Sequence, residues 1–289
     1  MDEKYRLTDE YIVHHGVKLF RIEALKDFDC IEKGYKGGFV ENELNLAHYG
    51  DCWIYDDAKV YGNSRVSGNA VIYGSAEVYD DARVYGNSIV CGSAKVFGNA
   101  RVFCDAKIYS NAEIYGSSVV YGRSEIHGNV KIHDHTAVYD NSLIFGNANV
   151  CGDCRVCGNA ELYGDAFIKN TSDYIVFKNW WSSGRYFTWT RSNNKWKVGC
   201  FYGTGDELIA KAYKDSELSG REYERVVKYV ESIINEEFYF EIDPNWGEYF
   251  VELGDTVDFI DWLNKNHFDY RGLINKSLAL DATGLNIYN

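Results

Sequence analysis

A chain of 289 residues has room for one long domain or two ordinary ones. Its 27 Gly, 24 Tyr and single proline, Pro244, describe a fold that turns often and does so with Gly, Asn and Asp rather than Pro. A net charge of -13 argues against general affinity for nucleic acid, because a phosphate-binding surface carries net positive charge. The charge is uneven: Lys178 to Lys228 holds ten basic and six acidic residues, whereas Glu231 to Asp261 holds ten acidic residues and no Lys or Arg. That acidic run reads as a solvated surface, with mimicry of a polyanion toward a basic partner as the sharper reading. The charged start, Met1 to Glu10, shows no apolar leader segment, and no stretch approaches the ~18 apolar residues of a membrane span. Eight cysteines in such a chain are expected as reduced thiols in a cytoplasm.

Residues 1–47 do not repeat and are expected to form a small N-terminal cap over the open end of the repetitive region beside it. His14-His15 falls in this cap without a motif around it.

From 48 to 169 a six-residue period dominates. Every sixth residue from Ile54 to Ile168 is aliphatic, twenty positions in all, of which nineteen are β-branched. β-Branched side chains suit a pleated strand and fill an interior. Four residues after each comes a small residue such as Ala58, Ser64 or Ala70, where a corner leaves little room; Val130, Thr136 and Cys154 are the largest exceptions. Pairs such as Gly62-Asn63 and Asp80-Asp81 tolerate the positive φ of a sharp turn. This pattern resembles the hexapeptide-repeat proteins, in which three hexapeptides make one triangular coil of a left-handed parallel β-helix. Twenty repeats then give about 6.7 coils, a prism ~32 Å tall.

The opening third carries a narrower resemblance. Lys4-Tyr5-Arg6-Leu7, Asp27-Phe28, Gly37-Gly38-Phe39-Val40 and Gly50-Asp51-Cys52-Trp53-Ile54-Tyr55-Asp56 resemble the start of YdcK-like bacterial proteins, which have phage-encoded relatives. The resemblance implies a label of acetyltransferase, given to such proteins on the strength of their repeats, and implies side-by-side homotrimers. A phage origin would place the chain in a host cytosol.

Stacked neighbours in a triangular coil lie eighteen residues apart, which sorts outward positions into three faces. One carries Lys59, Glu77, Lys95, Glu113 and Lys131, an alternating ladder that supports itself. A second stacks Arg65, Arg83 and Arg101, accompanied by Tyr85 and Phe103. Like charges at strand spacing repel, so this column is the candidate anion site. The plainer alternative is that the long Arg side chains splay into solvent or lie on the aromatics. The third face presents Trp53, Tyr55, Val71, Tyr73, Ile89 and Cys91, with Leu143 and Phe145 further along. An apolar strip of this kind is expected to be covered by the C-terminal appendage or by another subunit, a homo-oligomer being favoured.

The acyltransferase resemblance implies coenzyme A along the coil edges and a histidine general base, and the coil offers His127, His133 and His135. His133, Asp134 and His135 surround one corner and are the candidate acid/base or metal-binding cluster. His127 and His133 occupy the same slot of successive hexapeptides, at different corners, and read most simply as replacements for Tyr. Cys151, Cys154 and Cys157 have the spacing of a metal motif, but the register turns Cys154 inward and the other two outward on different sides, so no metal site is expected there. The uninterrupted coil lacks the extruded loop that shapes the acceptor pocket in the enzymes. The sequence therefore supports first a binding or scaffold protein for a small anion or protein partner, with no cofactor, and second a coenzyme A-dependent O- or N-acyltransferase.

The remainder, 170–289, reads as an α+β appendage, with 170–235 and 236–289 as its two parts. Tyr174 to Phe177, Trp180-Trp181, Tyr186 to Trp189 and Trp196 to Val198 alternate like antiparallel strands. Residues 205–235 predict two helices broken near Ser219-Gly220. A strand over Phe238 to Ile242 and a helix from Thr256 to Asn264 complete the expectation.

Overall fold

The structure is a computed structural model that describes residues 3–179 and 184–235. The expected Trp180-Trp181 strand, the strand at Phe238, the helix at Thr256 and the acidic run beyond Asn235 lie outside the described residues. The chain divides into two units, 1–230 and 231–289. Among the described residues no helix is long and apolar enough to cross a membrane.

The first unit is built on a parallel β-solenoid of twenty two-residue strands, from β4 (Trp53–Ile54) to β23 (Phe167–Ile168), one per hexapeptide. Three strands make a turn, so the strands stack into three parallel sheets with partners eighteen residues apart, as in Lys59↔Glu77, Arg65↔Arg83 and Val71↔Ile89. The aliphatic residue of each strand is fully buried from Ile54 to Ile168, and small residues such as Ala58, Ala82 and Ser118 pack beside them. Each interior position meets its counterpart in the next coil, so the column is continuous.

The corners repeat one device. Glycines such as Gly86 sit at φ +74, where an added Cβ would lie 2.8 Å from the Cys104 amide of the next coil. Asp56, Asp80, Asp134 and Asp140 adopt the same left-handed conformation. Each offsets its strain by accepting a hydrogen bond from the glycine N–H one coil on, at 2.9–3.1 Å.

The backbone ladder has a direction that decides what each end needs. Every coil donates its N–H groups to carbonyls of the following coil, as in Lys59 N to Ala76 O at 2.9 Å. The first coil is therefore left with open carbonyls and the last with open N–H groups. The cap supplies donors. A hairpin of β1 (Tyr5–His14) and β2 (Val17–Ala24) leads to β3 (Lys36–Val40), which joins the solenoid sheet in parallel. Phe39 N–H donates to Ala58 O at 2.9 Å, and the Asn45 amide donates to Gly62 O and Ser64 O at 3.0 and 2.9 Å. The buried Lys4 ammonium donates to Gly50 O at 3.1 Å, to Cys52 O at 2.8 Å and to Cys52 Sγ at 3.3 Å. Burial pulls the Lys4 pKa down, as expected of a charge removed from water.

The far end receives acceptors. Hydroxyl oxygens of Thr171, Tyr174, Thr188 and Ser192 take the N–H groups of Arg155, Cys157, Glu161 and Phe167 at 2.7–3.3 Å. They come from the start of the appendage and from its four-stranded antiparallel sheet, β24 (Tyr174–Lys178), β25 (Tyr186–Thr190), β26 (Lys195–Val198) and β27 (Phe201–Gly203). Phe187, Trp189, Trp196 and Val198 form its buried side together with Leu208, Ala212 and Val227 from the helices.

Helix α1 (Gly205–Asp215) opens with a reciprocal cap, in which Thr204 Oγ1 accepts from Glu207 N–H and Glu207 Oε2 accepts from Thr204 N–H. The helix break falls at Ser216, before α2 (Glu217–Asn235), rather than at the expected Ser219-Gly220. Gly220 is helical, and a Cβ there would meet the Tyr213 ring at 2.2 Å. The glycine that looked like a breaker makes room for a ring.

Candidate functional site

The Arg column stands out as three like charges on neighbouring strands. Arg65, Arg83 and Arg101 are Cα partners on successive strands of one sheet, and all three are exposed. Among the described residues none of them forms an ion pair, and neither do Lys59, Lys95, Arg123 and Arg155; Lys107 Nζ lies 2.7 Å from Glu125 Oε1 and Lys131 Nζ 3.3 Å from Glu113 Oε2. Further along the same sheet the outward places are taken by Val119 and Ala137, so no carboxylate interrupts the column from its own strands. Two unit charges ~5 Å apart repel by roughly 1 kcal/mol in a water-like dielectric. Beside the column, at the next corner, the side chains of Asn69, Asn87 and Asp105 form a hydrogen-bonded ladder at 3.0 Å per step.

Tyr85 and Phe103 are stacked, with centroids 4.8 Å apart and planes 3° from parallel, and the stack continues to Tyr121 and Tyr139. Their faces are thus committed to one another, and the Arg side chains make no cation–π contact with them. The lower face of Tyr85 is different. The rung beneath it is Ser67, the outward residue two along from Arg65, so that face meets no aromatic ring.

The histidines follow the same ladder logic. Tyr61, Tyr79, Phe97, Tyr115 and His133 stack at 4.8–5.1 Å along one corner. His127 stacks between Tyr109 and Phe145 on another, at 4.8 and 5.0 Å. Burial pushes the His127 pKa down. His133 Nδ1 faces Asp134 Oδ1 at 3.1 Å and its Nε2 faces Asn149 Oδ1 at 2.9 Å, so both ring nitrogens have partners. The Gly152 N–H, and after it His133, hold the Asp134 carboxyl below the usual range. His135 projects from the turn with its side chain 74% exposed, 3.6 Å from Asp153. The corner places His133 and His135 side by side in sequence, but one is a ladder rung and the other a solvated turn residue.

The apolar face differs from expectation at its start. Trp53 is fully buried, with Phe28 5.3 Å and Tyr5 6.3 Å away, because the cap covers it; it is core, not interface. Tyr55 turns toward Tyr35 of the cap at 6.1 Å. Val71, Tyr73 and Ile89 remain outward, with Tyr73 40% exposed. Beyond them the Lys107–Glu125 ion pair separates this patch from Leu143, and Phe145 belongs to the ladder between His127 and Tyr163. The strip is a short patch and a separate pair rather than a continuous seam. Cys154 points inward and burial raises its pKa to about 11; Cys151, expected outward, is buried as well, and Cys157 is half-buried.

One group went unrecognised in the sequence. Among the described residues, His14, His15 and Glu77 bring one potential ligand atom each within 4.8 Å of the others. Glu77 belongs to the Lys/Glu ladder by register, yet it turns to His14 Nε2 at 3.0 Å and accepts from Tyr61 Oη at 3.1 Å. The partners are 63 residues apart, and only the fold joins them. The local signal was His15-Gly16 between two alternating strands, which is a hairpin turn.

With this geometry in view, the relatives are informative about the coil and little else. The family described as the YdcK beta solenoid repeat matches residues 76–92. The protein named uncharacterized acetyltransferase YdcK from Escherichia coli (strain K12) is 38% identical over 61 residues, covering 18% of this chain and 19% of that one. The chain thus spans about a fifth of the length of the curated relative that it matches. The repeats are of the hexapeptide type, and the chain resembles YdcK-like proteins.

Proposed function

We propose that this protein is a homo-oligomeric binding scaffold whose Arg65/Arg83/Arg101 column takes a small ligand with several phosphates, such as a nucleotide, without transforming it. The observation that supports this reading is three exposed Arg side chains on successive strands of one sheet, none with an ion pair among the described residues. Long Arg side chains on neighbouring rungs can converge on the oxyanions of one ligand, and each phosphate bound removes a repulsion as it adds charge-assisted hydrogen bonds. The Tyr85 face above Ser67 offers a planar group one aromatic surface beside Arg65. The patch of Val71, Tyr73 and Ile89 is the proposed contact between subunits, and the eight thiols suit a cytoplasmic setting.

Thermal shift with ATP, inorganic tripolyphosphate and sulfate at matched ionic strength tests the reading. ATP and tripolyphosphate are expected to raise the melting temperature more than sulfate. Tyr85→Leu should weaken ATP while leaving tripolyphosphate unchanged. Equal shifts for all three anions would reduce the column to nonspecific screening.

A second reading is a coenzyme A-dependent acyltransferase with His133 or His135 as base, favoured by the name of the E. coli relative. His133 would have to release Asp134 or Asn149 to act, which argues for His135 as the freer base. Calorimetry with acetyl-CoA separates the readings: heat that disappears in His133→Ala/His135→Ala supports the enzyme, and absence of heat removes it.

A further inference from the structure

We infer that His14, His15 and Glu77 form a binding site for a divalent transition-metal ion of the zinc class, between the tip of the cap hairpin and the second coil. The three residues are held by two unrelated pieces of backbone. His14 ends β1, and His15 and Gly16 are the two turn residues, with φ of 49° and 81°. A turn with two positive φ values matches the twist of the flanking strands, and Asn-Gly would form it with less strain than His-Gly. With histidine there, the second imidazole folds back on the first, centroids 4.2 Å apart at 64°. Glu77 is delivered by the outward position of a solenoid strand, where the ladder would otherwise pair it with Lys59 or Lys95.

The donor set is two imidazoles and one carboxylate, which zinc takes readily while leaving a fourth position open. Ligand atoms on a tetrahedral ion with ~2.0–2.1 Å bonds lie roughly 3.3–3.5 Å apart. The His14 Nε2 to Glu77 Oε2 distance of 3.0 Å and the 4.8 Å envelope of all three atoms bracket that spacing, so small side-chain rotations suffice. The surroundings also fit. Tyr61 Oη donates to Glu77 Oε2 at 3.1 Å and orients the carboxylate, and the Tyr61 ring packs edge-on to His14 with centroids 5.6 Å apart. A salt bridge would need His14 alone; a second imidazole in a strained turn adds nothing to it. His15 is exposed, so the fourth position opens to solvent. A bound ion would staple the hairpin tip to the coil.

The test is Co2+ and Zn2+ titration of the chelator-treated, desalted full-length protein, followed by calorimetry and by the visible spectrum of bound Co2+. Exposed Cys30, Cys104 and Cys200 also attract soft metals, so the measurement uses the variant with all three replaced by Ser. The expected result is one equivalent bound with a nitrogen- and oxygen-ligated cobalt spectrum. His15→Asn, which suits the same turn, and Glu77→Gln should each weaken binding by ~10-fold or more, with unchanged circular dichroism. Binding that survives both substitutions, or no binding by the folded protein, overturns the proposal.

Discussion

An aspartate placed at two equivalent corners should have opposite consequences. At the corner that follows the Arg-bearing strands, the left-handed slot is held in turn by Gly50, Gly68, Gly86, Cys104, Gly122, Asp140 and Gly158. Across all three corners, each non-glycine in this slot (Asp56, Asp80, Cys104, Ser110, Asp134, Asp140) is followed one coil on by a glycine. Gly68→Asp respects this spacing. It costs about 1–2 kcal/mol for the left-handed conformation, and it gains a charge-assisted hydrogen bond from Gly86 N–H of about 1.5 kcal/mol or more, so the net change is within ~1 kcal/mol of zero. Gly122→Asp carries the same conformational cost, and its Cβ would lie 2.7 Å from the Asp140 amide, little closer than the 2.9 Å between a Cβ at Gly68 and the Gly86 amide. Its carboxylate would stack ~5 Å below that of Asp140, a repulsion of roughly 1 kcal/mol, and the Asp140 side chain in the next slot adds crowding of ~1–3 kcal/mol that glycine at 86 does not. The expected loss is therefore about 2–4 kcal/mol after the new hydrogen bond is counted. At ~2–4 °C per kcal/mol for a domain of this size, Gly122→Asp should lower the melting temperature by ~5–15 °C and Gly68→Asp by ~4 °C at most. Thermal melts by circular dichroism at neutral pH measure both. Equal losses at the two positions, or a larger one at Gly68, would refute the argument that neighbouring corners exclude each other.

Two further substitutions test the ladders and the closed end. In His127 the folded state favours the neutral ring, so its contribution to stability is present above the unfolded pKa of ~6.5 and is lost as pH falls from there toward the lower folded value. His127→Phe keeps the stack and should remove that part of the acid sensitivity, seen as a smaller drop in melting temperature between pH 7 and 5.5; an unchanged pH profile would count against it. Thr188→Val preserves shape but leaves the Glu161 N–H of the last coil without its acceptor, a loss of ~1–3 kcal/mol by chemical denaturation. A neutral outcome there would mean the end of the coil does not depend on those hydroxyls.

The solenoid was legible because it is local: every hexapeptide states its own interior residue, corner and outward residue, and eighteen-residue arithmetic adds the stacking. The same arithmetic, applied to Tyr61, Tyr79, Phe97, Tyr115 and His133, contains the aromatic ladder, and it explains His127 and His133 as rungs. What escaped was non-local. Trp53 has the spacing of an outward residue, and only the cap's Tyr5 and Phe28 make it core. Glu77 has the register of a ladder carboxylate, and only the hairpin tip makes it a partner of His14. Gly220 carries the signature of a helix break, but Tyr213 decides otherwise. The Arg column itself was legible, whereas the absence of counter-ions among the described residues required the side chains.

Calorimetric titration of inorganic tripolyphosphate into the full-length protein and into Arg83→Gln tests the anion-binding claim most directly. Arg83 is the middle of the column, and its removal leaves two guanidinium groups ~10 Å apart, two strand spacings, with no bridge between them. The account predicts saturable binding that weakens with added salt and falls ~10-fold or more in the variant. Affinity that is the same in both proteins, or no binding by either, would contradict it.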